Sequence, residues 1–412
     1  MSNPLLVGID VHRKTNTIAF MDQMGREVAP RFTINNNRPG ATALAQTLQD
    51  TVQDHGYDAI HIAAEATGWY WWHLFCTLDR DPFLNQRSLL LYPFNPRLTA
   101  NFRKAYAERD KTDLVDALII ADRLRFGRDL PQPFVYDESF LALRFLTRHR
   151  FHLMHQIVRE KSYFLAHLYL KASEYTQIKP FSDVFGATSR ALLRDYANIE
   201  EIAAIPFDDL VEIIDRLGKH HFVDPEDNAH KMLAVARDSY SLPEALQVPV
   251  NLILSQSWQQ IASLQRQIKR TETTIAQAIQ PIPNTLDTIP GIGPVFAAGM
   301  LAEIGDLARY DYDQAKVAKA AGLVWRQSQS GDSRAEETHL SHSGNRYLRY
   351  YFCEGANSVR MCDAEYRAYY DRKYHEVTQH QHKRAIVLTA RKLVRLVVRL
   401  LTTNQSYRPR RA

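Results

Sequence analysis

Four acids and one serine have types and positions suited to phosphoryl chemistry. Asp10 lies at the end of the apolar run LLVGIDV (5–11), and Glu65 directly follows the run AIHIAA (59–64). Asp113 and Asp116 stand at i and i+3 of a helical pattern over 111–127, so they share a face. Acids at strand ends opposite acids on one helix face converge on a single pocket. Such an oxygen-rich pocket suits Mg²⁺ or Mn²⁺. Two ions held about 4 Å apart can clamp the attacking and leaving oxygens of a phosphodiester. Taken singly, any of the 46 acids in the chain is more often a surface charge. An acid closing an apolar strand, however, is costly unless it is used, and the four together outweigh their parts.

The serine lies in GLVWRQSQSGDSRAEETHLSHSGNRYLR (322–349), which is dense in hydroxyls and small residues. Ser330 precedes Gly331, with Arg326, Arg334, Arg346 and Arg349 around it and Ser328 as a neighbour of similar character. A serine can attack a phosphodiester when it is activated and cations stabilise the developing charge. By composition alone, the same segment also reads as a loop of caps and turns.

The formal net charge is +5, unevenly spread: residues 1–130 carry 15 basic and 15 acidic side chains, whereas 383–412 carry nine Lys or Arg and no acid. Over 383–401, Ile386, Leu393, Val397 and Leu400 form an apolar helix face. Arg384, Arg391, Arg395 and Arg399 form a basic stripe on another. A basic end suits a polyanion such as nucleic acid, or serves as a solvated helix and tail.

These groups need elements to carry them. LLVGIDV, NTIAFM (16–21) and RFTI predict strands, 41–55 a helix and AIHIAA a buried strand, a mixed α/β layer. After Pro131 and Pro133 comes a long helix with Leu143, Leu146, Leu153, Ile157, Phe164 and Leu168 at heptad-like spacings. A second long helix, about 251–279, carries Leu254, Ile261, Ile268 and Ile275 seven apart. The two pair within one chain or between chains. The stretch 176–250 is irregular and more acidic. Residues 285–304, LDTIPGIGPVFAAGMLAEIG, predict two helices joined by a Pro-Gly-x-Gly hairpin whose backbone N–H groups suit phosphate contact. The expected domains are 1–132, 133–280 with an insertion near 176–250, and 281–402, followed by a basic tail 403–412.

Several classes are excluded or disfavoured. No stretch approaches the roughly 18–20 apolar residues of a membrane span, and the start MSNPLLVGID lacks a secretory pattern. Cys76, Cys353 and Cys362 have neither zinc-knuckle nor disulfide spacing. A bacterial cytoplasmic location is expected. An actin-like kinase places glycine two residues after its first acid; His12 stands there instead, a poor fit for close backbone approach to phosphate.

The chain resembles the DEDD transposases of the insertion sequence 110 family, related to pilin-gene inverting recombinases. The likeness lies in GIDVHRKTNTIAF, AAEATGWY, RDKTDLVDALIIADRL, IPGIGPVFAAGMLAEIGD, GLVWRQSQSG and HSGNRYLR, in order along almost the whole chain. It implies a RuvC-like (ribonuclease H-like) N-terminal domain, a helical coiled-coil middle and a mostly helical C-terminal transposase domain with a helix-hairpin-helix-like segment. The family's acids fall on Asp10, Glu65, Asp113 and Asp116, and its nucleophilic serine on Ser330. The resemblance further implies a covalent serine–DNA link assisted by Mg²⁺ (or Mn²⁺), and donor and target DNA as substrates. It implies a noncoding bridge RNA that pairs with both DNAs, and a homo-oligomer, dimer or tetramer, whose protomers share active sites. Two stretches depart from the family pattern: Asp332-Ser333-Arg334 stands where lysine-rich chemistry is usual, and His342 replaces a lysine. The competing reading from the residues is a metal-dependent Holliday-junction-type nuclease without serine chemistry. A noncatalytic nucleic-acid binder is disfavoured, since converging acids repel phosphate.

Overall fold

The computed structural model describes the chain except residues 1–2, 107–109, 111, 129, 135–136, 197, 326–328, 331–332, 335–339, 341–343 and 410–412; at 139, 329–330 and 333–334 it describes the backbone alone. The chain divides into two compact units, Met1–Glu138 and Ser139–Ala412.

The first unit is a five-stranded mixed sheet in the order β3-β2-β1-β4-β5. Its strands are β1 (Pro4–Val11), β2 (Thr15–Met21), β3 (Phe32–Asn35), β4 (Ala59–Glu65) and β5 (Leu89–Phe94). β2 is antiparallel to β1 and β3, while β4 is parallel to β1 and β5. Strand side chains alternate between faces, and here both faces are covered. Leu5, Val7, Ile9 and Val11 pack with α1 (Arg38–His55) and α2 (Trp72–Asp79). Leu6 packs on the opposite face, where Ala117, Leu118 and Ala121 of α4 (Asp113–Phe126) lie. α3 (Pro96–Arg103) follows β5.

Gly8 sets how close α4 comes to the sheet. A Cβ there would sit 2.1 Å from the Ala117 carbonyl oxygen and 2.4 Å from the Ala121 nitrogen. Only hydrogen in place of a side chain permits that contact, which holds the first turn of α4 over the end of β1.

β5 was not anticipated from the sequence. Pro93 interrupts its pattern, yet proline is tolerated on an edge strand because no ladder donor is needed there. Trp69, Trp71 and Trp72 follow Glu65 in the chain. Trp71 and Trp72 stack edge-on with Phe134 in the α1-side cluster, on the face opposite Asp10, and Trp69 is half-exposed.

Among the described residues the second unit is helical, apart from two short paired strands of two residues each. Its long helices are α5 (Glu138–Lys171) and α9 (Glu244–Ile279). Arg150 bonds Glu272, Ser257 bonds Glu160 and Lys171 bonds Asn251, so the two pair antiparallel within one chain. α9 begins seven residues earlier than the heptad pattern predicts and accommodates Pro249. At one end of the pair Leu168, Leu254 and Trp258 pack with α6 (Ala187–Asp195), α7 (Phe207–Leu217) and α8 (Pro225–Asp238). The stretch 176–250 therefore completes a core around the open end of the long helices. Lys171 is buried there, and its ammonium donates to the Leu193 and Tyr196 carbonyls and to Asn251 Oδ1 at 2.6–2.8 Å. Burial lowers its pKa to about 8, while the three acceptors satisfy its donors.

At the other end Leu143 and Ile275 join a second core. Its other helices are α10 (Pro294–Ile304), α11 (Gln314–Ala320), α12 (Arg346–Cys362), α13 (Ala364–His375) and α14 (Gln381–Thr403). The expected two-helix hairpin near 285–304 is only half formed. A single 3₁₀ turn, Leu286–Thr288, precedes α10 in place of a first helix. Pro281, Pro283 and Pro290 explain this, because proline disfavours helix in the residue before it. Gly291, at φ +91°, packs on the α12 backbone: an added Cβ would lie 2.8 Å from the Ser358 carbonyl oxygen. Among the described residues no helix is long and apolar enough to cross a membrane.

Candidate metal centre and serine segment

The β1–α4 contact brings Asp10 and Asp113 together, while Glu65 and Asp116 lie outside the ligand cluster. Asp10 points toward α4 and is 8% exposed. Thr112 caps α4 by accepting from the Val115 amide, which places Asp113 in the first turn; carboxylates are favoured at that end of the helix. His12 lies between them, its Nε2 3.2 Å from Asp10 Oδ2 and 3.3 Å from Asp113 Oδ1. Burial, the largest influence, pushes the Asp10 carboxyl above the usual range. His12 opposes the rise, and the charges of Asp113 and Glu65 add to it. Asp10 thus senses Asp113 and Glu65 as like charges, an arrangement that a cation would relieve.

Glu65 is held at the end of β4 by two hydroxyls. Thr67 Oγ1 donates to Oε1 at 3.1 Å and Thr99 Oγ1 to Oε2 at 2.9 Å. Asp116, one turn beyond Asp113, forms an ion pair with Arg103. One donor atom from each of Asp10, His12 and Asp113 can lie within 4.8 Å of the others, a cluster that could hold a divalent ion. Two carboxylates fit a hard ion, while the imidazole widens the choice toward later transition metals. His12 entered the sequence reading only as an argument against a kinase loop. Its spacing of two from Asp10, which puts both on one face of an extended chain, is the signal that could have found it. Thr99 and Arg103 carried no comparable signal, because α3 was not recognised.

The serine candidate belongs to the second unit. The backbone of Gln329–Ser330 pairs antiparallel with Ser333–Arg334, Ser330 opposite Ser333. Arg326 and Ser328 lie outside the described residues, as do Asp332 and His342. The base of the segment is held by backbone contacts. Trp325 bridges to Leu340, and the Asn345 amide donates to the Ala320 carbonyl at 2.6 Å. Gly344, at φ +115°, crosses Gly322 so closely that a Cβ would lie 2.6 Å from the Gly322 nitrogen.

Asn345 also caps α12, accepting from the Tyr347 and Leu348 amides, and its Nδ2 donates to Glu303 Oε2 at 2.6 Å. Glu303, 6% exposed, receives Arg148 through Nε at 2.7 Å and Nη2 at 2.9 Å. None of Glu303, Arg148 and Asn345 was singled out from the sequence. Removing one partner of a buried pair strands the other charge, so Glu303→Ala is expected to cost about 3–5 kcal/mol of stability. Urea unfolding measures this; a loss below about 1 kcal/mol, the level of an exposed pair, would contradict it.

The basic candidates fare differently from one another. Arg346 lies over the Phe151 and Tyr347 rings, each 5.1 Å away, and Arg349 donates to the Ala321 carbonyl. Arg334 is described by its backbone alone. Arg384 bonds Glu376, and Arg391 donates to the Gln314 carbonyl, while Arg395 and Arg399 are exposed on α14.

Two family models match the chain, one described as a transposase over residues 7–171 and one as the transposase IS116/IS110/IS902 family over 284–371. Among curated relatives, an uncharacterized 44.8 kDa protein of insertion element IS116 from Streptomyces clavuligerus is 27% identical over 307 residues, 74% of each chain. An uncharacterized 42 kDa protein of insertion element IS900 from Mycobacterium paratuberculosis is 24% identical over 319 residues, 74% of this chain and 75% of the relative. The first match includes all four acids and His12; the second includes Ser330 and its base and ends before α14. With the segments that carry the acids and Ser330 both inside matches to one kind of protein, the chain belongs to the IS110 family of transposases.

Proposed function

We propose that this protein cleaves and exchanges DNA strands for an insertion sequence, using Asp10, Glu65, Asp113 and Asp116 as a Mg²⁺ or Mn²⁺ site and Ser330 as nucleophile. The observation that carries the reading is the convergence of Asp10, His12 and Asp113 within ligand distance at the end of β1. The strand order β3-β2-β1-β4-β5, with α4 across the acid-bearing face, supports a ribonuclease H-like domain. Asp10 and Asp113 would hold the ion with His12 beside them. Glu65 would join from its threonine-held position, and Asp116 after exchanging Arg103 for the ion. When bound, the ion supplies charge stabilisation to the phosphate oxygens.

In the covalent step the Ser330 oxygen bonds to phosphorus, the P–O bond to one strand oxygen breaks, and that oxygen leaves as a hydroxyl carrying a proton. The serine proton passes to a base, and the phosphoserine diester conserves the bond for rejoining. Arg326, Arg334, Arg346 and Arg349 are proposed to steady the phosphate, and Arg384, Arg391, Arg395 and Arg399 to contact nucleic acid. A bridge RNA would choose donor and target by base pairing. A homo-oligomer, dimer or tetramer, would bring serine and carboxylates from different protomers together. Domain boundaries near 132, 280 and 402 would separate the carboxylate, coiled-coil and serine-bearing parts.

The metal site is tested by thermal melting of wild type and Asp10→Asn with and without Mg²⁺ or Mn²⁺. Because a buried ionised carboxylate is disfavoured, Asp10→Asn is expected to raise the melting temperature of the metal-free protein at neutral pH. Wild type should gain about 2.7 kcal/mol with ion at 100 times its dissociation constant, and Asp10→Asn little. Equal gains in both proteins would remove Asp10 from the metal site.

A further inference from the structure

The arginine stripe on α14 resolves into two parts, and one of them borders a groove. Arg384 is engaged by Glu376, with both terminal guanidinium nitrogens 3.0 Å from Oε2. Arg391 is half-buried against the Gln314 carbonyl. Arg395 and Arg399 are exposed and have no carboxylate partner among the described residues. They line a groove of about 780 Å³ together with Lys392, Glu365, Tyr407 and Arg408. Lys392 and Glu365 neutralise one another at 2.8 Å, so the uncompensated charge comes from the three arginines.

The groove's far wall is built by the tail. The chain reverses at Asn404, at φ +49°, and runs back beside α14. Tyr407 pins it: its amide donates to Thr288 Oγ1 at 2.8 Å and its hydroxyl to Asp363 Oδ2 at 2.7 Å. Asp363 is itself buried and caps α13 through the Tyr366 amide. The return of the tail is therefore fixed by these two hydrogen bonds of Tyr407, and it carries Arg408 to the same groove as Arg395 and Arg399.

We propose that this groove binds the phosphodiester backbone of one nucleic-acid strand, with Arg395, Arg399 and Arg408 on its phosphates. This rests on the nucleic-acid reading above and gives it a place. Arg395 and Arg399 are four residues apart, about 6 Å along the helix, a spacing of the order of the step between successive phosphates of one strand. The volume exceeds what a single phosphate fills, and guanidinium groups are suited to repeated phosphate contacts. DNA and RNA present the same backbone chemistry here, and the test separates them.

The test is fluorescence anisotropy of the full chain with a short oligothymidylate and a short oligouridylate, titrated across salt. The proteins are wild type, Arg395→Ala/Arg399→Ala, and Arg194→Ala/Arg237→Ala as a control of equal charge change. Arg194 and Arg237 each pair with the following aspartate on exposed surface. Each lost phosphate contact lowers the salt slope for a single strand by about 0.7, so the double variant should lose about 1.4. The control should keep the wild-type slope. Loss on both oligonucleotides supports backbone recognition of either strand type; loss on one supports the groove and names its strand. An unchanged slope on both overturns the groove while leaving nucleic-acid binding intact. Failure of wild type to bind either oligonucleotide overturns both readings. Ser406→Glu, which adds an acid to the groove and keeps its arginines, should weaken binding as well; should the double variant fail to fold, unaltered binding by Ser406→Glu overturns the proposal.

Discussion

Gly8→Val is expected to abolish the carboxylate site without touching an acid. The added Cβ would fall 2.1 Å from the Ala117 carbonyl oxygen and 2.9 Å from the Ala121 Cβ. Most of that contact is backbone, which cannot swing aside as a side-chain tip can. α4 must lift from the sheet or the first unit must lose its packing. Overpacking of a well-filled core costs about 1–3 kcal/mol and occasionally more, and this contact belongs at the upper end because two elements must separate. Lifting α4 carries Asp113 and Asp116 away from Asp10. The expected result is a clear loss of stability together with loss of the Mg²⁺-dependent gain in melting temperature. Gly8→Ala should show the same pattern in milder form. A Gly8→Val protein with wild-type melting and wild-type response to Mg²⁺ would contradict the described approach of α4.

Much of this architecture was legible in the residues. The runs 5–11, 16–21 and 59–64 are short, apolar and bounded by polar turns, and each appears as a strand with ends shifted by at most one residue. Asp10 and Glu65 were found because they interrupt or end such runs, Asp113 and Asp116 because they share one face of a helical pattern. What escaped the sequence depended on distant contacts. β5 contains Pro93, which is acceptable only because the strand lies at the sheet edge. Trp71 and Trp72 follow Glu65 closely in the chain, yet the turn after β4 sends them to the face opposite Asp10, toward Phe134. Glu303 looked like one acid among many on a helix; its importance arises from Arg148 and Asn345, which are 155 and 42 residues away. The arginine stripe was legible as spacing, yet its division into engaged and exposed members depends on Glu376, Gln314 and the returning tail.

The second large effect concerns the serine. Its hairpin rises from a base fixed by the Gly322–Gly344 crossing and by Asn345, so Ser330→Ala removes one oxygen without disturbing that base. On the proposed mechanism Ser330 is the nucleophile, and replacing it leaves no route to the covalent intermediate. Ser330→Ala is therefore expected to fold as wild type, retain nucleic-acid binding and lose strand exchange entirely. Asp10→Ala should lose it as well, by losing the ion rather than the nucleophile.

Recovery of protein–DNA adducts separates serine chemistry from direct hydrolysis. The protein is expressed with its native flanking DNA, purified under denaturing conditions and assayed for DNA that remains attached. An adduct is expected in wild type and Ser328→Ala, and none in Ser330→Ala or Asp10→Ala. An adduct that persists in Ser330→Ala, or DNA cleavage by wild type with no adduct at all, would contradict it, the latter pointing to direct hydrolysis at the carboxylates.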